Sequence, residues 1–311
     1  MRLKKITLGV LDLVPRMEDI SFEEALQQGV RLAQTAEQWG YHRYWAAEHH
    51  DMDGLSCASP EVLLSHIGAV TTRIRLGSGA VLLPHYSSLK VAEHYRMLAA
   101  LYPGRIDLGI GRAPGGSAHT SMALSGNFLA HVADMPDRVK ALRALLQDSY
   151  TYEDVPVTAK PVPQVQPALW MLGTHVKSAD LAAEHGTGYV FGQFMSDKDG
   201  KEVLAAYREN FRPSGLQEEP SAIVAVGVIC AETQGKADEL AQSSRLPGPP
   251  SETEENGRRL VAGTPDYVYS RLLLMADYYN CSEFVIYTPP LGSYEERLAS
   301  YRLLAEEAGK L

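Results

Sequence analysis

The sequence predicts a (β/α)8 barrel, and three observations carry that expectation. Short β-branched or aromatic runs alternate with longer amphipathic segments along the 311 residues, the pattern of repeated strand–helix units. Eight strand candidates can be counted, which in a chain of this length is the unit number of a closed parallel barrel. Three of them carry or run into polar or glycine-rich endings: Glu48-His49-His50-Asp51, Gly77-Ser78-Gly79, and Gly111-Arg112-Ala113-Pro114-Gly115-Gly116. Carboxyl ends of parallel strands face one shared crevice, so an acid, two imidazoles, a guanidinium and bare backbone should meet at one mouth. A doubly wound open sheet is the alternative arrangement of the same units.

The elements follow in order. The first strand is Ile6 to Leu13, and Ser21 with Glu24 three residues on reads as the cap of the first helix. The second strand, Arg43 to Ala47, ends in the Glu48 cluster, after which Ser59 before Pro60 opens a helix. The third, Ile74 to Leu83, carries Gly77 and Gly79, and the fourth, Arg105 to Ile110, empties into the glycine-rich segment. Tyr150 to Pro167 holds four prolines and no helical period, which predicts an extended excursion. The fifth strand, Leu169 to Leu172, turns through Gly173-Thr174-His175-Val176-Lys177-Ser178 into a helix over Ala179 to His185. Tyr189 to Phe191 and Ala222 to Cys230 are the sixth and seventh strands. Ser243 to Gly257, rich in proline and acid, reads either as a solvated insertion or as a mobile lid following a strand whose end faces the site. Thr264 before Pro265 opens another helix, Glu283 to Tyr287 is the eighth strand, and Ser293 with Glu296 caps the last helix. No internal repeat or splitting linker is visible, so residues 1–311 are expected to form a single domain.

Composition narrows the function. With 45% hydrophobic and 22% charged residues the chain can bury a large core. A formal net charge of -9 argues against nucleic-acid or anionic-membrane binding, since both need a basic face. Cys57, Cys230 and Cys281 are widely spaced, so neither a disulfide framework nor a thiolate zinc site is indicated, and a reducing cytoplasm is the expected compartment. The basic start, Met1 to Ile6, leads to an apolar run that ends at Asp12 without a cleavage site, so no export signal is expected.

Two segments suit a phosphate. Gly109-Ile110-Gly111-Arg112-Ala113-Pro114-Gly115 is not a dinucleotide fingerprint, because the third glycine is one place late and Pro114 falls where a helix should run. Its glycines nonetheless let a flat ligand or phosphate approach the backbone, and Arg112 brings forked donors; a tight turn with a surface arginine is the plainer reading. Gly173, Thr174, His175 and Ser178 precede a helix whose unpaired N–H groups suit an anion, although capping alone explains the same residues. All ten histidines fall between His42 and His185. His49 is the one placed for acid/base work, since imidazole changes protonation near neutral pH. A metal is not expected, because neither HxH nor HExxH spacing occurs and adjacent residues at a strand end point to opposite sides.

These residues resemble the bacterial luciferase-like flavin monooxygenases over nearly the whole chain. The resemblance is carried by Glu48-His49-His50, by Gly77-Ser78-Gly79-Ala80-Val81-Leu82-Leu83-Pro84, and by Pro103 through Arg112. Gly263-Thr264-Pro265 followed by Glu283 to Tyr287 adds to it. It implies a luciferase-like TIM barrel that binds reduced flavin mononucleotide (FMN) at the strand carboxyl ends and uses oxygen on a small organic substrate. On that resemblance His49 matches the catalytic histidine, Arg112 the phosphate-binding arginine, and Gly79-Ala80 the family's often cis peptide beneath the flavin ring. Gly173, Thr174, His175 and Ser178 match the phosphate loop. Gly111 stands where luciferases carry a cysteine, which argues against light emission and leaves oxygen chemistry open. The absence of a nicotinamide fingerprint implies a separate flavin reductase, and the family implies a homodimer, with Ala99-Ala100-Leu101 as a candidate contact. The alternatives are a deazaflavin-dependent hydride-transfer enzyme on the same barrel and a non-catalytic luciferase-like subunit.

Overall fold

The computed structural model describes residues 5–17, 19–244 and 260–310. β1 (Thr7–Asp12) leads to α1 (Phe22–Gln38), whose Ser21 cap accepts the Glu24 N–H at 3.2 Å. β2 (Arg43–Ala46) is followed by α2 (Pro60–Ala69). β3 (Arg75–Ser78) continues as β4 (Val81–Leu82), then a 3₁₀ turn over Leu83–His85 and α3 (Ser88–Leu101). β5 (Ile106–Gly111) opens into α4 (Ala118–Ser125), α5 (Phe128–Ala133) and α6 (Met135–Leu146). A small antiparallel pair, β6 (Thr151–Tyr152) and β7 (Val155–Pro156), precedes β8 (Ala168–Gly173), α7 (Val176–Glu184), β9 (Gly188–Gly192) and α8 (Gly200–Asn210). The chain finishes with β10 (Ala222–Cys230), α9 (Gln234–Ser243), β11 (Leu260–Gly263), α10 (Pro265–Tyr279), β12 (Glu283–Tyr287) and α11 (Tyr294–Ala308).

The staves close in the order β12, β1, β2, β3, β5, β8, β9, β10, and β10 pairs back onto β12, all in parallel. This is the expected closed barrel, and the open-sheet alternative falls away because no edge is left between β10 and β12. Each predicted strand is a stave, with one division: the third is cut into β3 and β4 by the cis Gly79–Ala80 peptide. The added strand β11 was not expected. It lies along Gly227–Cys230, the outer part of a β10 longer than the barrel needs. Ser293 and Glu296 form the predicted capping box, whereas Ser59 and Thr264 occupy the cap position without a side-chain bond and leave Pro60 and Pro265 to set the first turn. Of the predicted lid, Ser243 ends α9 and Ser244 follows it; residues 245–257 lie outside the described residues. No described helix is long and apolar enough to cross a membrane.

The interior is filled from its amino-terminal end upward. Arg43, Arg75, Asp107 and Glu283, each the first or second residue of its strand, meet there. Arg43 donates to Asp107 at 2.6 Å and Glu283 at 2.7 Å, Arg75 donates to Asp107 at 2.6 Å, and Trp45 Nε1 donates to the same carboxylate at 3.0 Å. Arg43 crosses the barrel over Gly9, where a Cβ would stand 2.5 Å from its Cγ. Its guanidinium lies 5.3 Å from the Trp45 ring and 5.2 Å from the Trp170 ring, so two indoles cover the charge. Leu11, Val190, Ile223 and Val285 pack in the same cluster, with the Phe194 and Tyr287 rings tilted against each other at 4.9 Å.

A second buried ion pair closes the seam between the chain's two ends. Arg297 on α11 donates to Asp12 at 2.8 Å, and Asp12 also accepts from Tyr44 at 2.7 Å and from the Val14 N–H at 2.8 Å. On the outside, fully buried Arg96 of α3 donates to Asp148, the Ala159 carbonyl and Gln166, and so pins both ends of the predicted proline-rich excursion.

Removing one member of a buried pair leaves an uncompensated charge, at a typical loss of about 3 to 5 kcal/mol. Asp107→Ala is therefore expected to destabilise the protein by roughly that amount, read from the urea unfolding midpoint. A loss below about 1 kcal/mol, the scale of an exposed pair, would show that the charge cluster does not support the barrel.

Candidate active site

The segments singled out after the second, third, fourth and fifth predicted strands open at the carboxyl end of the staves. After β2 the chain is held by its own backbone: the His49 N–H donates to the Cys57 carbonyl at 2.9 Å, and the His50 N–H donates to the Gly115 carbonyl at 2.7 Å. His49 Nδ1 is buried and has no hydrogen-bond partner. Burial is the main influence on this imidazole and pushes its pKa below 6.5, with Glu48 opposing that fall and His50 adding to it. The ring is consequently neutral near pH 7 and able to accept a proton.

Beside it lies a shelf of bare backbone. The Gly79 N–H donates to the Ala46 carbonyl at 2.8 Å, which fixes the shelf to β2. A Cβ on Gly79 would stand 2.5 Å from Leu11. A Cβ on Gly111 would meet only Ala80 at 3.2 Å and Leu82 at 3.9 Å, so Ala80 and Gly111 are neighbours with little above them.

β5 and β8 are paired up to Ile110 and Met171, so the register carries Arg112 toward Gly173. The Arg112 charge acts on the Tyr189 phenol, which is hydrogen-bonded to Ser178 at 3.0 Å. Arg112 is exposed and has no ion-pair or hydrogen-bond partner among the described residues. Opposite it, Thr174 Oγ1 lies 2.6 Å from His175 Nδ1, and His175 Nε2 lies 3.5 Å from Asp197. Both groups sit at the start of α7, where the first N–H groups lack intrahelical partners. Ser178 is engaged differently. Its hydroxyl is buried, donates to the His175 carbonyl at 2.6 Å and accepts from Tyr189, so it shapes the loop. Gly173 leaves room for that hydroxyl, which a Cβ would strike.

Several residues at this mouth were not read as functional from the sequence. Glu48, 3% exposed, gathers the Leu82 N–H at 3.1 Å, the Tyr86 hydroxyl at 2.7 Å and His50 Nε2 at 2.8 Å. His85 donates to the Pro114 carbonyl at 2.9 Å, bonds Ser125 at 3.0 Å and stacks on Phe128 at 4.8 Å. Gln193 Oε1 after β9 and Thr288 Oγ1 after β12 are buried without partners. The signal available for Glu48 was its place in the strand-end cluster; the others carry none that is local. No group of three or more His, Cys, Asp or Glu among the described residues is arranged to hold a metal ion.

A family model described as luciferase-like monooxygenase matches residues 6–273. The chain belongs to the luciferase-like monooxygenase family. A luciferase-like monooxygenase of Escherichia coli (strain K12) is 40% identical over 242 residues, covering 77% of this chain and 71% of that protein. The N-acetyl-S-alkylcysteine monooxygenase of Bacillus subtilis (strain 168) is 34% identical over 331 residues, covering 97% and 98%. Among solved structures, apo-MsnO8 has a TM-score of 0.85 at 36% identity and covers 98% of each chain.

In this family member the half-buried His49, with its buried Nδ1, gives a measurable signature. Below pH 6.5 the unfolded chain takes up a proton that the folded His49 site resists. Its contribution to stability is therefore fully present above that value and is lost as pH falls through the lower folded pKa. Histidine NMR titration of the folded protein should place the His49 midpoint below 6.5. A midpoint at or above that value would mean that Glu48, not burial, governs the ring.

Proposed function

We propose that this protein is a flavin-dependent monooxygenase that takes reduced FMN from a separate reductase and uses oxygen to oxidise a small organic substrate. The observation that carries the reading is the unpaired Arg112 beside the start of α7, at the edge of the Gly79-Ala80-Gly111 shelf. A cation without a partner facing helix N–H groups suits a dianionic phosphate, and a shelf without side chains suits a flat ring. Reduced flavin, when bound, supplies the electrons that activate oxygen.

The chain's own residues do the rest. Arg112, Thr174, His175 and the first N–H groups of α7 would hold the phosphate, while Gly173 and Ser178 keep that loop in shape. Gly79, Ala80 and Gly111 would flank the ring. His49, neutral and with an orphan nitrogen, would accept or return a proton at the reacting oxygen or substrate. The apolar cluster under the mouth, from Leu13 to Phe194 and Tyr287, would exclude water. His49 and Arg112 are both present, which speaks against a non-catalytic subunit. Turnover that proceeds without oxygen would instead select the deazaflavin-dependent alternative.

The test is anaerobic titration with reduced FMN. Arg112→Ala should weaken FMN binding by about 1.5 to 3 kcal/mol, the scale of a hydrogen bond to a charged group, and leave riboflavin nearly unchanged. Equal losses for the two ligands would remove the phosphate role and the reading with it.

The same family membership supports a homodimer. Of Ala99-Ala100-Leu101, Ala99 packs inward, but Leu101 is 57% exposed, as are Met97 one turn earlier (51%) and Val62 on α2 (67%). Light scattering at micromolar concentration should give twice the chain mass, and Met97→Glu with Leu101→Glu should return it to one. A monomeric parent protein would reject the proposal.

A further inference from the structure

The cluster around Glu48 lies under the candidate site, and its geometry reaches each of the site's parts. Glu48 takes one donor from each of three directions. His50 Nε2 comes from the loop that carries His49, the Leu82 N–H from the strand that follows Gly79–Ala80, and the Tyr86 hydroxyl from the turn leading to α3. Burial, together with Glu48 beside it, holds the Tyr86 phenol well above its ordinary range, so it stays a donor. His50 then joins the third part: its N–H donates to the Gly115 carbonyl, in the loop that begins with Arg112. That loop rests directly on the cluster. Gly115, at φ 68°, has no room for a Cβ against Leu82, and a Cβ there would also stand 3.4 Å from His50. His85 fastens the same loop at the Pro114 carbonyl.

We propose that Glu48 is the positioning residue of this mouth: one buried carboxylate sets the His49 loop against the Gly79–Ala80 shelf and, through His50, against the loop that carries Arg112. A buried carboxylate holding three donors is favourable only while all three stay in place, so the three segments have one common arrangement. The proposal rests on the roles given above to His49 and Arg112. It goes further in assigning their mutual placement to a buried residue whose carboxylate is already taken up by three donors of the chain itself.

Charge and geometry can be tested separately in the full-length chain. Glu48→Gln keeps the volume and removes the charge. The charged and titratable groups acting on His49 are Glu48 and His50. Losing the one that raises the His49 pKa should move its NMR midpoint further down, with His49→Gln identifying the signal. The same variant should lower the ratio of FMN to riboflavin affinity by roughly 3- to 10-fold, part of the effect of Arg112→Ala, because the arginine is displaced rather than lost. Tyr86→Phe removes one donor and no charge; it should lose part of the phosphate preference and leave the His49 midpoint where it is.

A folded Glu48→Gln protein with parental values of both quantities overturns the proposal. Should that variant not fold, an unchanged FMN preference in Tyr86→Phe overturns it. Arg112→Ala separates this failure from the earlier one. If that variant loses the FMN preference and the Glu48 and Tyr86 variants keep it, only the positioning role falls; if Arg112→Ala itself keeps it, the phosphate reading falls first.

Discussion

Asp107 is wholly buried, and the amino-terminal half of the barrel is arranged around it. A lone carboxylate in that place would be untenable, since the desolvation of an ion amounts to several kcal/mol even after relaxation. Two guanidiniums and an indole N–H answer it. Arg43 and Arg75 are register partners and Asp107 is level with Trp45, two residues further along, so the cluster ties β2, β3 and β5 together over two successive levels. Arg43 can reach the centre because Gly9, its register partner on the adjacent β1, has no side chain. The plug formed in this way fills the amino-terminal end of the barrel interior.

The two tryptophans above the plug explain two of the glycines of the staves. A Cβ on Gly77 would stand 2.6 Å from Trp45 Nε1, and one on Gly188 would collide with the Trp170 ring. Each glycine in a strand costs about 0.5 to 1 kcal/mol relative to alanine. Burying each indole contributes up to about 5 kcal/mol by area, so the exchange favours large rings and empty neighbours. Nearer the carboxyl ends of the staves, Gly79 lies against Leu11 and the edge of the Trp45 ring, whereas Gly111 has only Ala80 and Leu82 near it, and the bare backbone there becomes the shelf of the candidate site. One compositional habit thus fills the barrel below and leaves it open above.

Much of this was legible in the sequence, and for identifiable reasons. The staves could be read because each is a short buried run whose end is marked by Gly, Pro or a capping residue. His49, Arg112 and the Gly79–Ala80 shelf could be placed at one mouth because parallel strands present their carboxyl ends together. What local pattern does not carry is pairing between distant residues. Arg43 and Asp107 look like ordinary charges at strand starts, and only the closed barrel brings these residues, 64 apart in sequence, into one buried pair. Ser178 reads equally as ligand or cap until Tyr189 is seen to bond its hydroxyl. β11 follows a segment without periodicity and is recruited by the surplus length of β10, a property of the neighbour and not of its own four residues.

The contrast between the barrel's two ends is the physical basis for locating chemistry at one of them. At the base the buried Arg43 and Asp107 each have an opposite charge within reach among the described residues. At the mouth Glu48 is satisfied in the same way, but the groups it holds in place are not: His49 Nδ1 is buried and unpaired, and Arg112 faces no acid among the described residues. A buried polar atom without a partner is disfavoured by about 1 to 3 kcal/mol, which bears on His49 Nδ1, whereas the exposed Arg112 is answered by solvent and has no fixed partner. A planar ligand with a phosphate would meet both groups, while Asp107 and Glu48 keep the surrounding segments from collapsing onto them.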